Sequence, residues 1–163
     1  MDKTTNKKPA ISTQSLVTMA IFAAILSVSA YASIPIPLPS NPHITLLNFV
    51  ILLVALLFPL EQSFLVILVW MLLGILGVPV FIAGGSGFGY IIGPYGGYTA
   101  TFLVVAVVLP LIRGKKYNRI RYTAAAIVGV LIIDILGMLW LMLQNHLSLS
   151  AAFLAGFVPF IPL

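Results

Sequence analysis

Residues 78–98 read Val-Pro-Val-Phe-Ile-Ala-Gly-Gly-Ser-Gly-Phe-Gly-Tyr-Ile-Ile-Gly-Pro-Tyr-Gly-Gly-Tyr, and they interrupt a series of apolar segments. We call residues 83–97 the glycine-rich insert. Glycine has no Cβ, so its backbone can approach a ligand closely. The aromatic residues of this stretch supply apolar faces beside that backbone, and they are Phe81, Phe88, Tyr90, Tyr95 and Tyr98. The stretch therefore predicts a binding loop for a small, partly apolar solute.

Helix packing is the alternative interpretation of the same glycines. Gly89, Gly93 and Gly97 repeat at four-residue spacing, which is the pattern that lets transmembrane helices approach closely. Pro94 interrupts that helical line, because proline has no amide hydrogen to continue a helix. The interruption favours the loop.

The composition around the insert indicates a membrane protein. Of the 163 residues, 61% are apolar and 7% are charged, whereas soluble domains carry about 25% charged residues. The net charge of +5 is better explained by membrane orientation than by a nucleic-acid partner, which we do not expect. The chain has no cysteine, so it has no disulfides or thiolate metal sites.

The apolar segments predict an all-α polytopic membrane protein with five transmembrane helices and a partial sixth. Residues 1–14 are expected to be a polar cytoplasmic segment, and residues 15–163 a single transmembrane helical domain. The predicted spans cover 16–34, 44–60, 63–82, the end of the insert to 112, and 123–143. A proline-rich linker, 34–42, follows the first span, and the apolar piece 151–163 is too short to cross a bilayer unaided.

Two patches contain every lysine and arginine of the chain and set the predicted orientation. The patches are Lys3, Lys7 and Lys8, and Arg113, Lys115, Lys116, Arg119 and Arg121. Counting the four spans between them places both on the same side, which the positive-inside rule identifies as the cytoplasm. We therefore expect a multi-pass protein of the plasma membrane with a cytoplasmic N-terminus. The basic start and Ala30-Tyr31-Ala32 also fit a cleavable signal peptide, which is an alternative interpretation.

Few side chains of the sequence are suited to catalysis, metal binding or proton transfer. There is no phosphate-binding G-x-x-x-x-G-K-[ST] motif, so energy for transport must come from a partner or a gradient. His43 and His146 are interpreted as interfacial residues, and no metal site, cofactor or enzymatic activity is expected. Asp134 lies in the middle of a span, where a charge costs at least about 2.5 kcal/mol, so it should face the bundle interior. It is either a ligand contact or a locally bonded structural residue.

Other candidate residues lie along the predicted spans. Thr45 and Asn48 are one turn apart, so they either line a pocket or bond one helix to another. Ala20 and Ala24 belong to a small-residue face suited to close helix packing. Trp70, Trp140 and Tyr31 are interpreted as core residues or headgroup-level anchors, with Trp70 in the core.

The stretch 78–98 resembles the signature of the BioY family, the biotin-capturing S components of energy-coupling factor transporters. Flanking segments agree with the resemblance: Ala20-Ile-Phe-Ala-Ala24, the proline-rich run 33–45, Gly74-Ile-Leu-Gly77 and Leu136-Gly-Met-Leu-Trp140. The resemblance covers nearly the whole chain. It implies six transmembrane helices, biotin bound near the extracellular side, and transport powered by two ATPase subunits through a transmembrane coupling subunit. It also implies that Ala20 and Ala24 dock that coupling subunit.

The biotin-binding residues expected on these grounds are Phe81, Gly84, Gly85, Tyr90, Tyr98, Asn48, Thr45 and Asp134. The chain departs from the family pattern at three points. The family carries an Asp and a Lys after its Pro-Phe-x-Pro run, whereas this sequence ends at Pro159-Phe-Ile-Pro162-Leu163. Tyr95 stands where the family commonly has threonine, and Asp134 where an aromatic residue is usual.

Two other functions remain open at the level of sequence. A self-contained, gradient-driven carrier of a small solute needs a titratable residue that cycles between states, and Asp134 is the buried candidate. A membrane assembly protein without transport activity needs only the small-residue faces and no pocket.

Overall fold

A computed structural model of the protein describes residues 12–35 and 43–158. Most of the polar N-terminal segment, most of the proline-rich linker and the final Pro159-Phe-Ile-Pro162-Leu163 lie outside the described residues. The predictions made for those three segments are therefore not addressed by the structure.

The described chain is mostly helical. Its helices are α1 (Thr13–Ser29), α2 (Leu46–Leu57), α3 (Leu60–Ile75), α4 (Phe88–Ile91), α5 (Gly96–Arg113), α6 (Arg119–Gln144) and α7 (Leu149–Gly156). Two three-residue strands, β1 (Ser33–Pro35) and β2 (His43–Thr45), pair antiparallel with Ile34 opposite Ile44. At the start of the glycine-rich insert, a short 3-10 turn covers Ile82–Gly84.

Two described helices, α5 and α6, are long and apolar enough to cross a membrane by length and composition, and α1, α2 and α3 are shorter apolar helices. Local chemistry explains the shorter bounds. The predicted span 63–82 stops at Ile75 because Gly77 takes a positive φ of 103° and Pro79 follows. The predicted span 16–34 stops at Ser29 because the chain then enters β1.

The core lies around α5, which packs against α2, α3 and α6. Trp70 on α3 is fully buried, as predicted from the sequence, and its ring contacts those of Phe81 and Phe102. A Cβ at Gly97 would lie 2.1 Å from the Cβ of Trp140, so this glycine permits the close contact of α5 with α6. The packing interpretation therefore holds for Gly97, whereas a Cβ at Gly89 would meet no atom within 4 Å.

Arg113 closes the end of the bundle that lies opposite the glycine-rich insert. It is 8% exposed, and its Nη2 donates a hydrogen bond of 2.6 Å to the backbone oxygen of Phe58, the residue that ends α2. Its Nη1 donates to the backbone oxygen of Gly114 and to the Tyr122 hydroxyl. The guanidinium also lies 5.6 Å from the centroid of the Tyr122 ring. One side chain thus ties α2, α5 and α6 together.

Candidate functional site

A cavity lies between β2, the first turn of α2, the glycine-rich insert and the start of α5. It contains about 560 Å³ of empty space, counted together with the solvent in its open mouth. Its lining is His43, Thr45, Asn48, Ile82, Ala83, Tyr90, Tyr95, Tyr98 and Phe102. Aromatic and aliphatic surfaces dominate this lining, with a few polar groups that can orient a ligand.

The insert presents Tyr90 to the cavity from a stack of aromatic rings. The Tyr90 ring stacks on Phe81 with centroids 4.7 Å apart, and Phe81 in turn contacts Trp70 edge-on. A Cβ at Gly74 would lie 2.1 Å from the Phe81 ring, so glycine on α3 makes room for the stack. A Cβ at Gly85 would lie 2.6 Å from the Tyr90 ring. Gly85 therefore sets the position of a cavity wall.

Tyr90 stays protonated over the physiological pH range. Burial raises the pKa of its hydroxyl to about 12, although hydrogen bonds with the Thr99 side chain and the Ile82 backbone act in the opposite direction. A protonated phenol can both donate and accept a hydrogen bond. Tyr90 thus offers an apolar face and a neutral polar group to the same cavity.

Hydrogen bonds fix the stretch 78–98, which includes the insert, to neighbouring elements. The Tyr31 hydroxyl donates a hydrogen bond of 2.5 Å to the Pro79 backbone oxygen, and the Gly87 amide donates to the Gly74 oxygen. At the other end, Trp140 Nε1 donates to the Gly93 oxygen at 2.9 Å. Gln144 Nε2 similarly donates to the Ile92 oxygen at 2.7 Å. Tyr31 and Trp140 were expected as core or headgroup-level anchors, and the structure uses them as hydrogen-bonded supports of the insert.

A second cavity adjoins the first, because Thr45 and Asn48 line both. It lies between α2 and α6 and contains about 580 Å³ of space including its mouth. Asp134 lines it from α6 and is 5% exposed. No hydrogen bond or ion pair holds its carboxyl group within residues 12–35 and 43–158. Asp134 thus faces the bundle interior, as expected from its position in the span.

Two polar atoms of the first cavity have no hydrogen-bond partner in the described part of the chain. They are His43 Nδ1 and Thr45 Oγ1, and both are buried. Thr45 is also the N-cap residue of α2 by position, yet its side chain makes no capping hydrogen bond. Since buried polar groups are normally paired, a ligand or water that fills the cavity is the natural partner of these atoms.

The structure brings together some of the residues predicted from the sequence and separates others. Tyr90, Tyr98, Thr45 and Asn48 line the first cavity, and Asp134 lines the adjoining one. The remaining three lie behind the wall rather than in it: Phe81 under Tyr90, Gly85 against the Tyr90 ring, and Gly84 near Tyr31. The biotin-binding roles of all eight stay predictions.

Tyr98 has a second contact besides the cavity. Its hydroxyl donates a hydrogen bond of 2.6 Å to the Gly156 backbone oxygen on α7. A Cβ at Gly137 on α6 would lie 2.1 Å from the Tyr98 ring. Tyr98 therefore connects the cavity wall to α6 and α7.

Several lining residues were not selected from the sequence. His43, Ile82, Ala83, Tyr95 and Phe102 all line the first cavity. Tyr95 was noted as an apolar face of the insert, but His43 was interpreted as an interfacial residue. The signal that could have identified His43 is its i, i+2 spacing to Thr45, since alternate residues of a strand share a face.

Comparison with known proteins gives consistent results. A model of the BioY family matches residues 2–163. The biotin transporter BioY2 of Lactococcus lactis is 35% identical over 148 residues, which cover 90% of this chain and 80% of the relative. A probable biotin transporter BioY of Pyrococcus horikoshii is 36% identical over 144 residues, with coverage of 88% and 82%. The biotin transporter BioY of Thermotoga maritima is 35% identical, with coverage of 90% and 84%.

One solved structure has a similar fold. It is the S component for biotin from an ECF-type ABC transporter, with a TM-score of 0.84 and 24% sequence identity. The match covers 94% of this chain and 86% of that chain.

Proposed function

The chain belongs to the BioY family, and we propose that it is the membrane-embedded subunit that captures biotin for an uptake transporter. The observation that carries this proposal is the cavity at the glycine-rich insert, in a chain whose relatives are named biotin transporters. The protein is a transport component rather than an enzyme.

The lining suits the chemistry of biotin. Biotin has a compact, largely apolar bicyclic ring, a ureido group with N–H donors and a carbonyl acceptor, and a flexible chain that ends in a carboxylate. Tyr90, Tyr95 and Phe102 offer ring faces for the bicycle. Thr45 and Asn48 offer hydrogen-bonding groups beside them, which can give orientation and specificity.

In the proposed site, Tyr90, Tyr98, Thr45 and Asn48 contact biotin directly. Asp134 accepts hydrogen bonds from N–H groups that reach the adjoining cavity, because a buried carboxylate needs such partners. Phe81, Gly84 and Gly85 act by supporting the insert. No cofactor or metal takes part in this proposal.

The proposed membrane arrangement follows the helices of the structure. Helices α1, α2, α3, α5 and α6 are the five spans, and α7 is the partial sixth, within a single domain of residues 15–163. The N-terminal segment 1–14 and the basic loop between α5 and α6 lie in the cytoplasm of a plasma-membrane protein, which agrees with the positive-inside rule. The cavity and the insert then face outward.

Cysteine labelling tests this orientation. Ser86 in the insert and Asn118 before α6 are both exposed, so single cysteines at these positions should react once a reagent reaches them. A membrane-impermeant thiol reagent should label Ser86→Cys in intact cells and Asn118→Cys only after the cells are opened. Labelling of Asn118→Cys in intact cells would contradict the topology.

The proposed partners are the lipid bilayer, a transmembrane coupling subunit and two ATPase subunits that supply the energy. The outer face of α1 supports the docking proposal, because Ala20 and Ala24 are both exposed there. Ala20 lies in an apolar groove that α1 forms with Val66 and Val69 of α3. Small residues on an exposed transmembrane face permit another helix to approach closely.

Equilibrium binding of labelled biotin to the purified chain tests the function. We expect saturable binding that unlabelled biotin displaces and that chemically unrelated vitamins do not. A folded chain that binds no biotin would overturn the proposal.

A further inference from the structure

We infer that His43 binds the carboxylate of the captured solute, at the end of the cavity formed by β2 and the first turn of α2. The inference rests on the proposed function, since biotin is the solute that brings a carboxylate. It adds a specificity-determining residue that the sequence interpretation had placed at the membrane interface.

The first line of support is the state of the His43 side chain. Its Nδ1 is buried in the described chain without a hydrogen-bond partner, and the residue lines the cavity. Among the lining residues that the structure describes, none is a lysine or arginine. Within residues 12–35 and 43–158, the His43 imidazole is thus the one lining side chain that can become positively charged. It can donate an N–H hydrogen bond to a carboxylate in its neutral and its charged form.

The second line of support is the strand that carries His43. His43 and Thr45 are alternate residues of β2, so both side chains project from the same face. Thr45 is 8% exposed, and its Oγ1 is also buried without a partner in the described residues. Two neighbouring residues, each with a buried and unpaired polar atom, therefore line one cavity. A carboxylate has two oxygen atoms and can accept from both.

The third line of support is the helix that follows. The 12-residue helix α2 begins directly after Thr45, and no side chain caps it. The N-terminus of a helix carries a partial positive charge and favours a bound anion. His43, Thr45 and the start of α2 thus present donors and positive potential at the same end of the cavity.

The position of Asp134 indicates the orientation of the solute across the two adjoining cavities. Asp134 lies in the adjoining cavity, on the opposite helix α6. Like charges repel in a buried site, so the solute carboxylate is disfavoured beside Asp134. The N–H groups of the ureido ring are favoured there instead. The inferred orientation has the carboxylate at His43 and the ring toward α6.

Comparison of biotin with its uncharged primary amide tests the inference, because only the carboxylate differs. The parent chain should bind biotin about tenfold more tightly than biotin amide. His43→Ala should weaken biotin binding by about tenfold and leave amide binding unchanged, so that the preference disappears. His43→Asn retains an N–H donor near the position of Nδ1 and should bind biotin more tightly than His43→Ala does.

His146 supplies the matched control. It is the second histidine of the chain, it is exposed in the connection between α6 and α7, and it takes a positive φ of 51° that asparagine tolerates. His146→Asn should keep the parental affinities for both ligands. Thermal unfolding in detergent shows that each variant is folded before its affinity is compared.

The outcomes separate this inference from the proposed function. A parent chain that binds biotin and biotin amide equally would overturn the role of His43, and this measurement needs no variant. A folded His43→Ala chain whose affinities for biotin and for biotin amide fall by the same factor would overturn it as well. A parent chain that binds neither ligand would instead overturn the proposed function.

Discussion

The two ends of the helical bundle differ in how far their buried polar groups are hydrogen-bonded within the protein. At one end, Arg113 donates three hydrogen bonds, to the backbone oxygens of Phe58 and Gly114 and to the Tyr122 hydroxyl, although its Nε is buried without a partner in the described residues. At the other end, His43 Nδ1 and Thr45 Oγ1 are buried without partners in the described chain. The first arrangement stabilises the fold by itself, whereas the second leaves hydrogen-bonding capacity for a ligand.

The physical difference is where the hydrogen-bond acceptor comes from: the protein itself at one end, and a bound ligand at the other. A buried donor with a protein acceptor adds to stability, and its removal leaves the acceptor unpaired. A buried donor that faces an open cavity adds little to the stability of the free protein and gains its partner on binding. Substitutions at the two ends should therefore separate stability from affinity.

The largest effect on stability is expected at Arg113. Arg113→Met removes the donor to Phe58 and leaves a buried carbonyl unpaired, which should lower the free energy of unfolding by about 2 kcal/mol. Denaturation in detergent measures the change, and biotin affinity of the folded fraction should stay parental. Lys115→Met is the control, because Lys115 is exposed and its loss should change stability by less than about 0.5 kcal/mol. Equal stability of the two variants would contradict the role of Arg113.

The insert should give the largest effect on affinity. Gly85→Val places a side chain against the Tyr90 ring, which a Cβ would approach to 2.6 Å. The displaced ring should weaken biotin binding by about tenfold, or about 1.4 kcal/mol, and Tyr90→Ala should do the same.

The double variant shows whether Gly85 acts through Tyr90. If it does, Gly85→Val should cause little further loss in a chain that already carries Tyr90→Ala, so the two effects are not additive. Folded Gly85→Val protein with parental affinity would remove the insert from the site.

A smaller effect is expected at Thr45, and it should appear in binding alone. Thr45→Val replaces an unpaired buried hydroxyl with a methyl group of similar size, so stability should be unchanged or slightly higher. Biotin affinity should fall by about fivefold. Ser63→Ala is the matched control: its Oγ is also buried and unpaired, but it lies on α3 away from both cavities. It should leave affinity unchanged, and a loss of stability in Thr45→Val would indicate a structural role.

The smallest effect on stability and on biotin affinity is expected for substitutions on the outer face of α1. Ala20→Phe with Ala24→Phe should leave stability and biotin binding nearly parental, because both residues are exposed. Biotin uptake in cells that supply the coupling subunit should be lost, since bulky residues prevent close helix approach. Ile127→Phe, at an exposed position of α6, should retain uptake. Normal uptake by the α1 variant would contradict the docking proposal.

The sequence predicted the insert as a loop, and the structure agrees for most of it. Pro94 and the glycines exclude a long helix there, and the insert contains the end of a 3-10 turn and the four-residue α4 before α5 begins at Gly96. The sequence also predicted that Trp70 is in the core, and this is confirmed. Both predictions depend on local chemistry, which is readable along the chain.

Helix ends and the site were harder to predict. The hydropathy of residues 63–82 stays high beyond Ile75, so it conceals the turn that Gly77 and Pro79 impose. His43 was missed because its neighbours in the cavity, such as Tyr90 and Phe102, are distant in sequence.

By itself, the sequence determined that this is a helical membrane protein, because composition, charge placement and the glycine-rich stretch are properties of consecutive residues. It also indicated the BioY family through that stretch. The tertiary structure alone decided which residues share a cavity. It placed His43, Thr45 and Tyr90 around one space and put Gly85 behind its wall, because those distances depend on how β2, α2 and the insert pack together.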